Sequence, residues 1–179
     1  MSLKFKELIN YVSKVEKISV CFMDGNYENY HLKTDIPEGK YDEFYVNGIG
    51  LADVEFSLDV YSKQEHNTIS KNDRYLGCAL EIMLSEEPRD MERERNDVLT
   101  FKDFRNYLPV GNCITIVRKE DWSQESFLLR NDIPDFYNDL YLYGIGIQDR
   151  AKDTVSSGID SMINKSEVIV LSKEPRNDI

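Results

Sequence analysis

Apolar residues recur at helical spacing at the start of the chain and again just past its middle. The first set follows Ser2 and the second follows Thr100: Leu3, Phe5, Leu8, Ile9 and Val12, then Phe101, Phe104, Tyr107 and Leu108. This periodicity predicts an amphipathic helix in each place, of about a dozen residues in the first and ended by Pro109 and Gly111 in the second. We expect Ser2 and Thr100 to be the N-caps, and Asp103 stands at the capping-box spacing from Thr100.

Runs rich in β-branched and other apolar residues follow each helical pattern and predict strands. In the first half they cover residues 17–23, 27–34, 44–51 and 76–84, and an alternating run at 54–61 would prolong the sheet. In the second half they cover residues 113–118, 126–130, 140–147 and 167–171. Asp24-Gly25-Asn26 predicts a tight hairpin turn. Lys119-Glu120-Asp121-Trp122 takes its place in the second half.

The two halves repeat one another. LKFKELINYV at residues 3–12 returns as LTFKDFRNYL at 99–108, and the Asp-Ile-Pro, Gly-Ile-Gly and Glu-Pro-Arg landmarks follow in the same order. We therefore predict an α+β fold, a tandem duplication of one helix and a mostly antiparallel sheet of four or five strands. The predicted domains are residues 1–90 and 99–179, joined by a charged linker at 91–98. The expected core matches Phe5, Leu8, Ile18, Val20, Ile82 and Leu84 with Phe101, Phe104, Ile114, Ile116, Val170 and Leu171.

The net charge of the chain indicates which classes of partner the protein can bind. The 179 residues include 33 Asp and Glu against 22 Lys and Arg, so the net charge is −11. Such a surface repels nucleic acid, so we expect no strong direct DNA binding, and it attracts basic proteins, including the basic channels of proteins that bind nucleic acid. The alternative is that the charge serves only solubility.

Two further features bear on where the protein works. No apolar run approaches the ~18 residues that cross a bilayer, and the first residues lack the apolar stretch of a signal peptide. We expect a cytoplasmic protein without a membrane partner. Cys21, Cys78 and Cys113 are an odd number without C-x-x-C spacing, and each lies in an apolar run. We expect them to be buried, reduced thiols.

Candidate catalytic groups are few. Gly48-x-Gly50-x-x-Asp53 and its repeat Gly144-x-Gly146-x-x-Asp149 lack the third glycine of a dinucleotide-binding fingerprint. We interpret the glycines as a strand bulge, and the alternative places a cation at Asp53 and Asp149. The two histidines are His31 and His66, and an RNA- or nucleotide-processing enzyme would act through His31 with nearby carboxylates. The main interpretation is a protein without catalytic activity, cofactor or metal.

Tyrosines and acids are interleaved between the Asp-Ile-Pro and Gly-Ile-Gly landmarks of both halves. Tyrosine supplies contact area in protein interfaces, and carboxylates can meet Lys or Arg of a partner. The predicted partner-binding residues are Asp35, Tyr41, Asp42, Glu43 and Tyr45 in the first half, and Asp132, Asp135, Tyr137, Asp139, Tyr141 and Tyr143 in the second. The alternative is that roughly half of the tyrosines belong to the core.

The order of helix, hairpin, Asp-x-Pro element and two further strands, with openings such as LTFKDFRNYL and endings such as VIVL, resembles small acidic proteins of phages and other mobile elements of Gram-positive bacteria. Some members of that group are anti-CRISPR or anti-restriction proteins. The resemblance implies an inhibitor that works in the bacterial host cell on a nucleic-acid-targeting nuclease such as Cas9, or on its guide RNA complex. The inhibitor would occupy a basic nucleic-acid-binding surface. The resemblance assigns no catalytic residues.

Overall fold

A computed structural model describes residues 2–57, 74–89, 98–149 and 165–177. The first repeat contains α1 (Phe5–Leu8), β1 (Ile18–Phe22), β2 (Tyr27–Tyr30), β3 (Tyr45–Ser57) and β4 (Arg74–Ser85). The second contains α2 (Phe101–Arg105), β5 (Ile114–Arg118), β6 (Gln124–Phe127), β7 (Tyr141–Asp149) and β8 (Lys165–Ser172). Short 3₁₀ turns lie at Ile9–Tyr11, Lys33–Asp35, Arg130–Asp132 and Asp135–Tyr137. The predicted α+β duplication is confirmed.

Each repeat forms a four-stranded mixed sheet, in the orders β2-β1-β4-β3 and β6-β5-β8-β7. The outer strands run antiparallel to their neighbours, whereas the two central strands of each sheet run parallel. A parallel pair needs a long crossover connection. The chain between β1 and β4 contains β2 and β3, and the chain between β5 and β8 contains β6 and β7. These intervening strands form the two edges of each sheet.

Register fixes which residues are equivalent in the two cores. Val20 lies opposite Ile82 in the first sheet, and Ile116 lies opposite Ile169 in the second. Ile169 is therefore the counterpart of Ile82, and the predicted match of Ile82 with Val170 is wrong. A shift of one residue moves a side chain to the other face of a strand. The other predicted pairs all lie in the core.

The helices are much shorter than the sequence pattern predicts. α1 begins after Lys4, so Ser2 is not its N-cap, and Ser2 Oγ instead donates to Arg89 O. The predicted cap at Thr100 is confirmed: its Oγ1 accepts from Asp103 N at 3.4 Å, and Asp103 Oδ2 accepts from Thr100 N at 3.1 Å. The backbone turns extended at Val12, where it meets the other repeat. Tertiary contact has overridden helical periodicity.

The Gly-Ile-Gly landmarks lie on the outer strands β3 and β7, at the positions where the two repeats meet. The ladder register shifts between Val46 and Gly48, and again between Leu142 and Gly144. The predicted bulges are therefore confirmed. Ile49 N donates to Tyr107 O at 2.8 Å, and Ser13 N donates to Ile145 O at 3.2 Å. Each repeat thus hydrogen-bonds the edge strand of the other, which removes an open edge.

Two tyrosines make reciprocal hydrogen bonds across the same interface. Leu3 N donates to Tyr107 Oη at 3.1 Å, and Leu99 N donates to Tyr11 Oη at 3.3 Å. Leu3 and Leu99 are equivalent in the duplication, and so are Tyr11 and Tyr107. All four residues are buried. The repeats are therefore related by a pseudo-twofold arrangement of contacts.

A pair of arginines repeats this symmetry at the surface. Arg89 Nη1 donates to Asn47 O of its own repeat at 2.7 Å and to Asn106 O of the other at 3.2 Å. Arg176 Nη1 donates to Tyr143 O at 3.2 Å and to the other repeat's Asn10 O at 3.1 Å. These are the arginines of the two Glu-Pro-Arg landmarks. Each joins an edge strand to the opposite helical segment.

One hydrophobic core spans both repeats. Its buried residues include Leu8, Ile82 and Phe5 from the first repeat and Phe104 and Ile169 from the second. The predicted boundary at 91–98 stays a prediction, because residues 90–97 lie outside the described part of the chain. In that described part no helix is long and apolar enough to cross a membrane.

Replacing either tyrosine of the interface by phenylalanine is expected to destabilise the protein. Tyr11→Phe and Tyr107→Phe each leave a buried backbone N–H without its acceptor, which costs about 1–3 kcal/mol. Urea unfolding monitored by circular dichroism measures the loss. Because the contacts are reciprocal, the two variants should lose similar amounts, whereas Tyr27→Phe on the surface should lose almost nothing. Unchanged stability in both interface variants would contradict the reciprocal arrangement.

Candidate partner-binding site

The first predicted segment, residues 35–45, carries less free negative charge than its sequence suggests. Asp35 is exposed, and its Oδ2 accepts a backbone N–H of its own 3₁₀ turn at 3.0 Å. Glu43 is exposed but contacts Lys4, and its Oε1 lies 3.0 Å from Lys6 Nζ. The hydrogen bond from Lys4, followed by that from Lys6, lowers the pKa of Glu43 to about 2. The half-buried members of the segment are Asp42 and Tyr45.

The second predicted segment, residues 132–143, is more exposed. Asp135 Oδ1 accepts from Arg105 Nη1 at 2.8 Å. Tyr143 is half-buried, and Lys119 Nζ lies 3.7 Å from the centre of its ring. The exposed acids are Asp132, Asp135 and Asp139, and Tyr141 is half-buried. Acids and aromatic rings therefore do share this surface.

Tyr41 and Tyr137 are core residues, with 2% and 1% of their surface exposed. The Tyr41 hydroxyl lies 2.6 Å from the Tyr30 hydroxyl, and its ring meets Phe5 edge-on with the centroids 5.3 Å apart. The Tyr137 ring packs against Phe136, with the centroids 4.3 Å apart. At these two positions the structure contradicts the predicted contact surface, because rings that fill the core offer no area to a partner.

A cavity of about 710 Å³ opens beside the β1–β2 turn of the first repeat, and we call it the acid-rimmed cavity. Its floor is apolar and is formed by the half-buried rings of Phe22 and Phe44, and the fully buried Leu84 also belongs to its lining. Its rim carries four carboxylates: Asp24, Glu28, Glu86 and Glu87. The cavity thus combines apolar surface with concentrated negative charge.

Local geometry positions two of the rim acids. Asp24 Oδ1 accepts from Asn26 N at 3.0 Å and its Oδ2 from Asn26 Nδ2 at 2.7 Å, which closes the turn. Gly25 has a φ of 87° there, so glycine suits the turn. Glu28 contacts Lys40 and accepts from Tyr30 Oη at 2.9 Å, and these hydrogen bonds, the one from Lys40 first, lower its pKa. The turn therefore fixes the position of the Asp24 carboxylate, and the contact with Lys40 favours the ionised form of Glu28.

The corresponding place on the second repeat has a different charge. In the alignment of the two repeats, Arg118 occupies the position of Phe22, Lys119 that of Met23, and Lys173 that of Glu86. There Arg118 Nη2 lies 3.3 Å from Asp121 Oδ2, so the local charges pair with one another. The second repeat therefore lacks the combination of an aromatic Phe22 and an acidic Glu86 that the acid-rimmed cavity has. The sequence prediction missed it, although the divergence at these aligned positions was a signal that could have found it.

The residues of the enzymatic alternative occupy separate elements. His31 directly follows β2 and is buried. Asp53 is exposed on β3, opposite Cys78 of β4. Asp149 ends β7, but its side chain lies outside the described residues, as does the whole of His66. In the described ranges no group of three or more His, Cys, Asp or Glu residues is arranged to hold a metal ion. β2 and β3 are the two outer strands of the first sheet.

The three cysteines are free thiols, as predicted, but only Cys113 is buried. Cys21 and Cys78 are half-buried. Burial raises the pKa of the Cys78 thiol to about 11, and nearby Asp53 adds to the rise. Thiolate chemistry at neutral pH is therefore disfavoured at Cys78.

A buried glutamate lies where the repeats meet. Glu167 is 0% exposed and stands at the position that Leu80 fills in the first repeat. Neither of its carboxylate oxygens has a hydrogen-bond partner in the described part of the chain. A Cβ built on Gly50 would lie 3.9 Å from Glu167 Oε1 and 3.8 Å from Glu81 Oε2. Burial raises the pKa of Glu167 to about 8, and the nearby Asn112 amide opposes part of that rise.

Comparisons with protein-family models, with curated proteins and with solved structures found no match.

Glu167→Gln is expected to flatten the pH dependence of stability. The carboxyl titrates near 4.5 in the unfolded chain and near 8 in the folded protein. Between these values the folded state holds one more proton, so the free energy of unfolding falls as pH rises, by at most about 1.4 kcal/mol per pH unit. Urea unfolding between these pH values measures the difference from the wild type. An identical slope in Glu167→Gln would show that Glu167 ionises freely in the folded state.

Proposed function

We propose that the protein is a non-enzymatic inhibitor that binds a basic partner protein, with the acid-rimmed cavity receiving Lys or Arg side chains. The observation that carries the proposal is the combination of four carboxylates on the rim with an apolar floor formed by Phe22 and Phe44. Lys and Arg have apolar stems and charged heads. The stem of such a side chain packs on the floor while its head meets the rim.

The four rim carboxylates together should contribute more to partner binding than any single one of them. A single exposed ion pair contributes only about 0–1 kcal/mol, and it weakens further as salt rises. Glu86 and Glu87 are exposed beyond the end of β4, and Asp24 and Glu28 are held by their own hydrogen bonds. Burial of the partner's apolar stem adds a contribution that salt does not screen.

The partner class follows from charge and from the resemblance to anti-CRISPR and anti-restriction proteins. With a net charge of −11 the whole protein favours encounter with basic surfaces. A nuclease that holds nucleic acid in a basic channel offers Lys and Arg side chains in quantity, and Cas9 with its guide RNA is such a partner. Binding there would displace nucleic acid without cutting it. The second repeat adds the exposed acids Asp132, Asp135 and Asp139 to the negative charge that a basic partner would meet.

Cas9 cleavage of a target DNA is expected to fall when the protein is added at low salt, and to recover as salt is raised. Charge attraction between exposed groups is screened by salt, so inhibition and binding should weaken together. The measurement is a cleavage titration at several salt concentrations, followed by recovery of the guide RNA. Intact RNA is expected. Shortened RNA would point to the enzymatic alternative, and uninhibited cleavage at low salt would refute a nuclease of this type as the partner.

Charge reversal at the acid-rimmed cavity is expected to weaken inhibition. The double variant Glu86→Lys, Glu87→Lys places two cations on the rim, and the cost of like charges in an interface predicts a loss of roughly tenfold or more in affinity. Both residues are exposed, so the free energy of unfolding should change by no more than about 0.5 kcal/mol.

Glu174→Lys is the charge-matched control for the single variant Glu87→Lys, because Glu174 is the counterpart of Glu87 on the second repeat. It changes the net charge in the same direction but leaves the cavity intact. Equal loss in both variants would mean that net charge acts without the cavity. No loss in the folded double variant would exclude this cavity as the contact.

A further inference from the structure

A second groove, of about 570 Å³, lies between the two repeats and is basic although the protein is acidic. The first repeat contributes the segment 10–16 and Lys33, and the second contributes Trp122, residues 143–148 and Arg176. Its volume is within the range of small-molecule sites, about 300–1,000 Å³. Three of its lining residues are cationic: Lys14, Lys33 and Arg176. We call it the tryptophan groove.

Trp122 stands in a backbone conformation that tryptophan rarely adopts. It is the one tryptophan of the chain, it is 67% exposed, and its φ is 56°. The equivalent residue of the first repeat is Gly25, with a φ of 87° in a turn closed by the same hydrogen bonds. Glycine adopts this conformation without strain, whereas a large side chain does not. Folding alone therefore favours glycine at position 122, and strain of this kind concentrates at functional sites.

The cations are held by backbone carbonyl groups at the groove. Lys33 Nζ donates to Val12 O at 3.0 Å, and Arg176 Nη1 donates to Tyr143 O at 3.2 Å. Burial lowers the pKa of Lys33, and the positive charges of Arg176 and Lys14 lower it further. Lys33 is thus repelled by both Arg176 and Lys14. An anion between them would relieve that repulsion.

We propose that the tryptophan groove binds a nucleotide, with the base stacked on the Trp122 indole and the phosphate among Lys14, Lys33 and Arg176. Bases stack on aromatic side chains whatever their identity, and a phosphate suits a cluster of Lys and Arg. This site is separate from the acid-rimmed cavity and goes beyond the inhibitor function. Binding is measured without any partner protein.

Further polar groups that line the groove suit the edge of a base. Glu16 Oε1 accepts from Ile147 N at 3.2 Å, and a Cβ at Gly146 would come within 2.7 Å of that oxygen. Gly146 thus leaves room for the carboxylate beside the groove. Gln148 and Ser13 also line it. These groups supply donors and acceptors for ring nitrogens and exocyclic groups.

Trp122 fluorescence reports on the site directly, because the chain has no second tryptophan. The four ribonucleoside monophosphates are titrated separately against the intact protein, together with adenosine and ribose 5-phosphate. We expect saturable quenching by at least one nucleotide, and binding weaker by roughly tenfold or more for the compounds that lack the phosphate or the base. No saturable change with any nucleotide up to millimolar concentration overturns the proposal. Ribose 5-phosphate binding as tightly as the nucleotides overturns it too, because the base would then contribute nothing.

Variants separate ligand binding from folding. Trp122→Gly copies Gly25, so its melting temperature should equal or exceed that of the wild type, while calorimetry should show nucleotide affinity reduced by roughly tenfold or more. Lys14→Ala should also weaken binding, with a smaller dependence of affinity on salt. Lys102→Ala, an exposed lysine on α2, is the charge-matched control and should bind like the wild type. Unchanged affinity in a folded Trp122→Gly variant would overturn the proposal.

Discussion

The hydrogen bonds that each repeat makes to the edge of the other hold this fold together. The Tyr11 and Tyr107 hydroxyls accept hydrogen bonds from backbone N–H groups at the start of the opposite helical segment. The Gly-Ile-Gly strands β3 and β7 make backbone hydrogen bonds to the end of the opposite helical segment. A unit of about 90 residues has little core of its own. One core shared by both repeats buries more apolar surface than either repeat could bury alone. The contact also covers the edges of β3 and β7, and exposed strand edges promote aggregation. The early end of the first helical segment, the register shifts in β3 and β7, and the contacts of Arg89 and Arg176 all occur where the repeats bond to one another.

Duplication also explains where the two repeats differ. Contacts between them require equivalent residues in both copies, so the shared frame is symmetric, and positions outside that frame are able to diverge. Glu167 replaces a buried leucine, Trp122 replaces a turn glycine, and Lys173 replaces an acid of the rim. Each exchange changes charge or places a residue in surroundings that do not favour it, and none of the three residues makes one of the reciprocal hydrogen bonds between the repeats. The acid-rimmed cavity and the tryptophan groove both arise from such exchanges, so one duplicated unit carries two chemically opposite surfaces.

Local signals in the sequence predicted local structure well. The duplication, the Asp24 turn, the Thr100 cap and the glycine bulges depend on neighbouring residues, and all are confirmed. Features decided by tertiary packing were missed. Helical periodicity runs on to Val12, but pairing with Ile145 pulls that residue into an extended conformation. Tyr41 and Tyr137 resemble surface residues among their acidic neighbours, yet they fill the core. Neither cavity is contiguous in the sequence, so aligned differences between repeats were the only available clue.

Amide hydrogen exchange in the native protein tests most directly whether the two repeats fold as one unit. The amides of Leu3, Leu99, Ile49 and Ser13 donate across the interface, whereas the amides of Ile82 and Ile169 lie in the central strands of the two sheets. Both groups are expected to exchange only through global unfolding, with the same opening free energy and the same dependence on denaturant. If the interface amides opened together at a clearly lower free energy while both sheets stayed protected, the repeats would be independent domains, which would contradict a single folding unit.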